Sequence, residues 1–251
     1  MTIPATYYAL PLFIGSVISA VLVVLAWQRR AEPGALAFLI SMFALGMWSL
    51  AYGNEIVAVT EETKIFWHKL AYTNIPIVVP FWLLFLLQHE KRSSRFMHFL
   101  IPFLLIEPIL FIILTWANDR FLLLWTKIEM LSDAGLPYLH ITRANGFYIH
   151  AIYSYLLLLT TCVLFLRLLW RRSSLSGPQS VACVTGILAP MVINICYLAG
   201  INPLHPLDLT PFALVTFGVA ASWLTFRFQF WEIWPAARNA IVESMNDGVI
   251  V

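Results

Sequence analysis

The stretch FWHKLAYTNIPIVVPFWLLFLLQ, Phe66 to Gln88, decides the fold. It is apolar over nearly all its length. At a helical rise of about 1.5 Å per residue it reaches about 34 Å, enough to cross a hydrocarbon core of roughly 30 Å. Lipid offers no partner for free backbone N–H and C=O groups, so a segment of this kind spans as a helix. Six further runs share its character: Tyr7–Gln28, Ala35–Val59, Phe96–Trp116, Phe147–Trp170, Ser180–Ala199 and Thr210–Phe230. The expected fold is all-α, a seven-transmembrane helical bundle, with residues 1–231 forming the membrane domain and 232–251 a cytoplasmic linker helix.

Composition agrees with a membrane reading and excludes a soluble one. Of the 251 residues, 61% are hydrophobic and only 11% charged, with a mean hydropathy of +0.82. Basic residues then set the orientation. With the amino end outside, the inner segments carry ten (Arg29, Arg30, Lys91, Arg92, Arg95, Arg167, Arg171, Arg172, Arg227, Arg238) and the outer segments five (Lys64, Lys69, Arg120, Lys127, Arg143). The net charge of +2 reflects this topology, and no nucleic-acid partner is expected. The start, MTIPATYYALPLF, lacks a basic n-region, so the first span reads as retained. Cys162, Cys183 and Cys196 all fall inside spans and read as packing residues.

Inner connections are short and basic and leave little room for a catalytic domain. The longest outer connection, Ala117 to Gly146, is amphiphilic and suits a short helix or a hairpin capping the bundle; its Arg120, Lys127 and Arg143 are candidates to attract an anion. The seventh span contains no lysine, which excludes a retinal Schiff base there. No histidine pair at four-residue spacing supports a metal or haem site, and no metal or other cofactor is expected. No nucleophile–base set, glycine-rich phosphate loop or pair of carboxylates points to catalysis.

Polar residues inside the spans are the remaining signal, because burying them in a bilayer is costly. Glu107 is the only acid deep in a span. Asn74, Asn194, Trp48, Tyr52, Trp82 and Tyr153 are further candidates for the outer half, with Asp208 at the entry to the seventh span. Together they suggest an aromatic cavity open to the outside, between the third, fourth and sixth spans, for a small and largely apolar molecule with a hydrogen-bond donor. The bland alternative is inter-helix bonding by the same groups.

The chain ends WPAARNAIVESMNDGVIV, Trp234 to Val251. Pro235 suits a first helical turn, and Trp234, Ala237, Ile241 and Met245 form a narrow apolar seam. NDG then ends that helix and VIV begins a β-prone run. With DLTP at Asp208–Pro211, this tail resembles the seven-helix N-terminal sensor module of bacterial histidine kinases. WHKLAYTNIPIVVPFWLLFLLQ, TWANDRFLLLWT and LAPMVINICYLAGINPLHPLDLTP resemble its third-span, outer-loop and sixth-span signatures. One departure stands out: the family's outer TN-x-x-H reads TWANDRF here, without the histidine.

The resemblance implies placement in a bacterial cytoplasmic membrane, a homodimer, and a following PAS and kinase region that would use ATP and Mg and signal to a cytoplasmic response regulator. The leading expectation is a receptor that grips its ligand in the outer half and passes a packing change through Arg227, Trp231, Pro235, Arg238, Ile241 and Met245. A small-molecule transporter and a passive membrane anchor are the rival readings; a transporter would want repeat symmetry or discontinuous helices, and the spans show no two matching halves.

Overall fold

The computed structural model describes residues 5–89, 94–133, 136–171, 177–198, 201, 208–216 and 218–219. Six long helices follow one another: α1 (Ala5–Gln28), α2 (Ala35–Val57), α3 (Glu61–His89), α4 (Ser94–Phe121), α5 (Asn145–Arg171) and α6 (Gly177–Leu198). Between α4 and α5 stands an antiparallel hairpin of β1 (Trp125–Asp133) and β2 (Leu136–Arg143). Residues 210–216 and 218–219 are helical and lie where the seventh span is expected. Arg227, Trp231, Pro235, Arg238, Ile241 and Met245 lie outside the described residues.

Five of these helices, α1 to α5, are long and apolar enough to cross a membrane. Their central windows are not equally enclosed: 61% is buried in α2 and α3, but only 22% in α4 and α5. α2 and α3 are therefore the middle of the bundle, and α4 and α5 present wide apolar faces outward. Residues such as Phe99, Phe103, Ile149 and Ile152 stand exposed on those faces, as lipid contact requires and water would not favour.

The main core lies between α2 and α3 in the half away from the hairpin. Phe38, Trp82 and Phe85 pack ring to ring there, Phe38 meeting Trp82 edge-on at 5.5 Å and 89°. α1 approaches α2 closely because Gly46 has no side chain: a Cβ there would meet the Ser19 Cβ at 3.0 Å. α2 begins at Gly34, whose φ of 88° is left-handed and whose missing Cβ would fall 2.8 Å from the Phe85 carbonyl oxygen.

The opposite end is polar and pinned. Lys64 is almost completely buried, and its ammonium donates to the Glu55 and Ile56 carbonyls at 2.6 and 3.2 Å. Those carbonyls have no partner within α2's last turn, so a cation from α3 caps the helix and opposes its dipole. Lys69 pairs with Asp119 at 2.6 Å, joining α3 to α4. The long connection between α4 and α5 takes the hairpin form, after α4 runs on past Trp116 to Phe121. Asn118 makes that junction: its Oδ1 accepts from the backbone N–H groups of Leu124 and Trp125, and its Nδ2 donates to the Trp125 carbonyl.

Candidate functional site

The hairpin roofs a cavity rather than a solid end. Its deeper lobe, about 120 Å³, is lined by one stripe from each of several elements. α3 contributes Tyr72, Ile75, Val78 and Val79; α5 contributes Phe147, His150, Ala151, Ser154, Tyr155 and Leu158. Spacings of three and four keep such residues on one helical face. α6 adds Pro190, Asn194, Tyr197 and Leu198, α2 adds Trp48, and β2 ends in Arg143 at the rim. Asp208, Thr210 and Leu214 close the wall from the start of the helical stretch where the seventh span is expected.

A second lobe of about 80 Å³ lies directly under the hairpin, with Pro137, Tyr138, Leu139 and Ile141 above it. Its floor carries Tyr52, Glu55, Lys64 and His68. The two lobes adjoin, sharing Trp48, Tyr72, Ile75, Tyr197 and Asp208. Tyr72 is the hub of the aromatic wall, with His68, Trp125, Phe111 and Phe147 ring centroids at 4.3, 5.5, 6.1 and 6.4 Å.

Polar groups around the lobes are mostly satisfied by one another. His68 Nδ1 lies 3.1 Å from a Glu55 carboxylate oxygen. The Asp208 N–H donates to the Tyr52 hydroxyl at 2.7 Å, and the Thr210 N–H donates to Asp208 Oδ1 at 2.9 Å. Asn194 accepts from the Tyr155 hydroxyl and donates to Thr210 Oγ1. Burial lifts the Asp208 carboxyl above the usual carboxylate range, against the opposing pull of its Thr210 hydrogen bonds and of Arg143. These bonds tie the start of the seventh span to α2, α5 and α6.

Of the residues singled out from sequence, Trp48, Tyr52, Asn194 and Asp208 line one lobe or both. Glu107, Asn74, Trp82 and Tyr153 line neither. Among the described residues none of α4 lines the cavity, which lies among α2, α3, α5, α6 and the helical stretch that starts at Thr210 instead of the third, fourth and sixth spans. Glu107 sits behind the wall, with one carboxylate oxygen 2.7 Å from His150 Nδ1, so it touches the cavity only through that ring. Asn74 donates to the Leu70 carbonyl one turn back along α3. Trp82 belongs to the core with Phe38 and Phe85, in the half away from the hairpin.

Tyr153 has a different structural task. Pro108 has no N–H to offer the Leu104 carbonyl four residues earlier. The Tyr153 hydroxyl donates to that oxygen at 2.6 Å, binding α5 to α4 where α4's own ladder is interrupted.

The main lining residues absent from the candidate set are Tyr72, Phe147, His150, Tyr155 and Tyr197. A partial signal existed in α5: His150, Ser154 and Leu158 repeat every fourth residue beside Ala151 and Tyr155. The ring residues of α3 and α6 carry no comparable mark, being ordinary in apolar helices.

A family model for the N-terminal 7TM region of histidine kinase matches residues 11–235. No curated protein and no solved structure matches the chain. The match covers the apolar helices, the hairpin and the wall of the cavity alike. The chain therefore belongs to the N-terminal 7TM regions of histidine kinases and is a multi-pass membrane sensor module.

Proposed function

We propose that this module is a receptor whose cavity under the hairpin takes a small molecule, and that occupancy repositions the seventh span and so regulates a cytoplasmic kinase. The supporting observation is the junction at Asp208 and Thr210. These two residues form part of the cavity wall and also begin the helix that leads toward the carboxyl end. Their partners, Tyr52 and Asn194, come from α2 and α6. A guest that spreads the wall acts directly on those bonds. Coupling of this kind is worth about 1–3 kcal/mol, a factor of roughly 5 to 150 in an equilibrium.

The full assembly in this reading has seven spans, an outside amino end and an inside carboxyl end in a bacterial cytoplasmic membrane. The linker carrying Arg227, Trp231, Pro235, Arg238, Ile241 and Met245 relays the shift within a homodimer to the kinase, which uses ATP and Mg and passes phosphate to a response regulator. The excess of basic residues on the proposed inner side supports the orientation.

The test needs no known ligand. Ala151→Phe places a ring in the deeper lobe and imitates occupancy, whereas Ile152→Phe places the same ring on the exposed apolar face. In the full-length protein in proteoliposomes, Ala151→Phe is expected to shift basal autophosphorylation at least fivefold and Ile152→Phe to leave it unchanged. Equal behaviour of the two variants would remove the cavity from signalling and favour a passive anchor.

A further inference from the structure

The geometry points to the chemical class of the guest: a monoanionic carboxylic acid with an apolar body about one ring in size, its acid group held by Arg143. This inference rests on the receptor reading and adds the ligand's chemistry to it. Lys64 and the two histidines around the lobes each have a partner, although His68 Nε2, in the lobe under the hairpin, is enclosed without one. Lys64 is committed to the α2 carbonyls, His68 faces Glu55, and His150 faces Glu107. Arg143 forms no ion pair among the described residues. Its guanidinium stands between rings instead, 4.9 Å from the Phe147 centroid and 5.7 Å from that of Tyr197.

That arrangement sets the guanidinium against two rings, with the Tyr72 hydroxyl as a hydrogen-bond partner, and leaves Nε for something else. Nε is fully enclosed and has no acceptor. An enclosed guanidinium N–H without a partner is unfavourable, and a carboxylate satisfies it with two parallel bonds. The nearby acid, Asp208, is already engaged as acceptor for the first turn of the seventh span. It is thus poorly placed to serve either as Arg143's permanent partner or as the receiver of a ligand ammonium. Its presence also disfavours a dianion such as phosphate, which would set two negative charges against one guanidinium.

Size and lining fix the rest of the molecule. A dry apolar cavity of about 150 Å³ holds benzene, so the deeper lobe, at about 120 Å³, suits one ring or a short chain. Val78, Val79, Leu158, Pro190 and Leu214 form its apolar floor. The acid group then lies at the Arg143 end, toward the hairpin, with the apolar body pointing into the bundle.

Benzoate is a direct probe, with benzyl alcohol as its neutral match and phenylalanine as its zwitterionic one. Binding to the full chain in lipid nanodiscs is read by equilibrium dialysis with labelled compounds. Benzoate is expected to bind saturably and at least tenfold more tightly than either control. Arg143→Gln is expected to weaken it at least tenfold, and Arg143→Lys, which keeps the charge but loses the fork, by an intermediate factor. Melting of each variant without ligand shows that the fold is retained. Absent benzoate binding, tighter binding of phenylalanine, equal binding of benzyl alcohol, or an affinity unmoved in a folded Arg143→Gln would each overturn the acid assignment. None of these touches the receptor reading, which falls separately on the comparison of Ala151→Phe with Ile152→Phe.

Discussion

Asn118 shows how much one side chain carries at the junction of helix and hairpin. It is about 1% exposed and bonds the Leu124 N–H, the Trp125 N–H and the Trp125 carbonyl from a single amide. Leu124 is fully buried and Trp125 nearly so, so water cannot replace those bonds. Each unmet buried group costs about 1–3 kcal/mol. Asn118→Ala is accordingly expected to destabilise the chain by about 2–4 kcal/mol, and Asn118→Asp, which keeps the acceptor but sets a buried carboxylate oxygen against the Trp125 carbonyl, by at least as much. Thermal unfolding in nanodiscs reads the difference; an Ala variant as stable as the parent would show that the hairpin stands without this anchor. In the sequence Asn118 sits in TWANDRF, a segment noted for a histidine it lacks. The residue that does the anchoring was on view there, but its value depends on Leu124 and Trp125 folding back over it. Lys64 is a similar case. It reads as an outer surface charge and is instead an almost completely buried helix cap.

Elements were more legible than residues, for a physical reason. A span is set by the sum of about twenty apolar side chains against lipid, and that sum survives any local detail: α1, α2, α3 and α5 begin or end within a few residues of the apolar runs. α4 departs further, continuing through the polar Asn118, Asp119 and Arg120, because Lys69 and the hairpin give those residues partners beyond the lipid. Among the described residues, two left-handed ones at element ends make a paired prediction. Leu122, at φ 52°, follows α4 and is half exposed, so its side chain gains little from burial while its backbone is strained. Leu122→Gly is expected to stabilise the chain by about 0.5–1 kcal/mol. Gly34→Ala, with both the left-handed φ and the Phe85 carbonyl in the way, is expected to destabilise it by about 1–3 kcal/mol. Melting temperatures moving in opposite directions check both. A Gly34→Ala chain that melts unchanged would mean that α2 starts elsewhere.

At the scale of the molecule, the cavity exists because helix rotations bring together faces that the sequence lists separately. Glu107 was the most costly residue to bury in the spans, yet α4 turns it toward α5, and its influence passes through His150. Trp48, Tyr52, Asn194 and Asp208 were legible as polar or amphiphilic groups near one end, but their convergence on one space, with Arg143 brought in from β2, was not. The convergence suggests how a signal would leave the cavity. If the Tyr52 hydroxyl is the tie between α2 and the seventh span, removing it weakens transmission without emptying the site, since Tyr52 lines the lobe under the hairpin and not the deeper one. Tyr52→Phe keeps the ring and deletes the acceptor for the Asp208 N–H. In the full-length protein, combining it with Ala151→Phe is expected to reduce the shift in autophosphorylation at least threefold relative to Ala151→Phe in the parent background. A double-mutant cycle measures that interaction. Strict additivity of the two substitutions would mean that the packing change reaches the seventh span by another route, with Asn194 and Thr210 the next pair to interrupt.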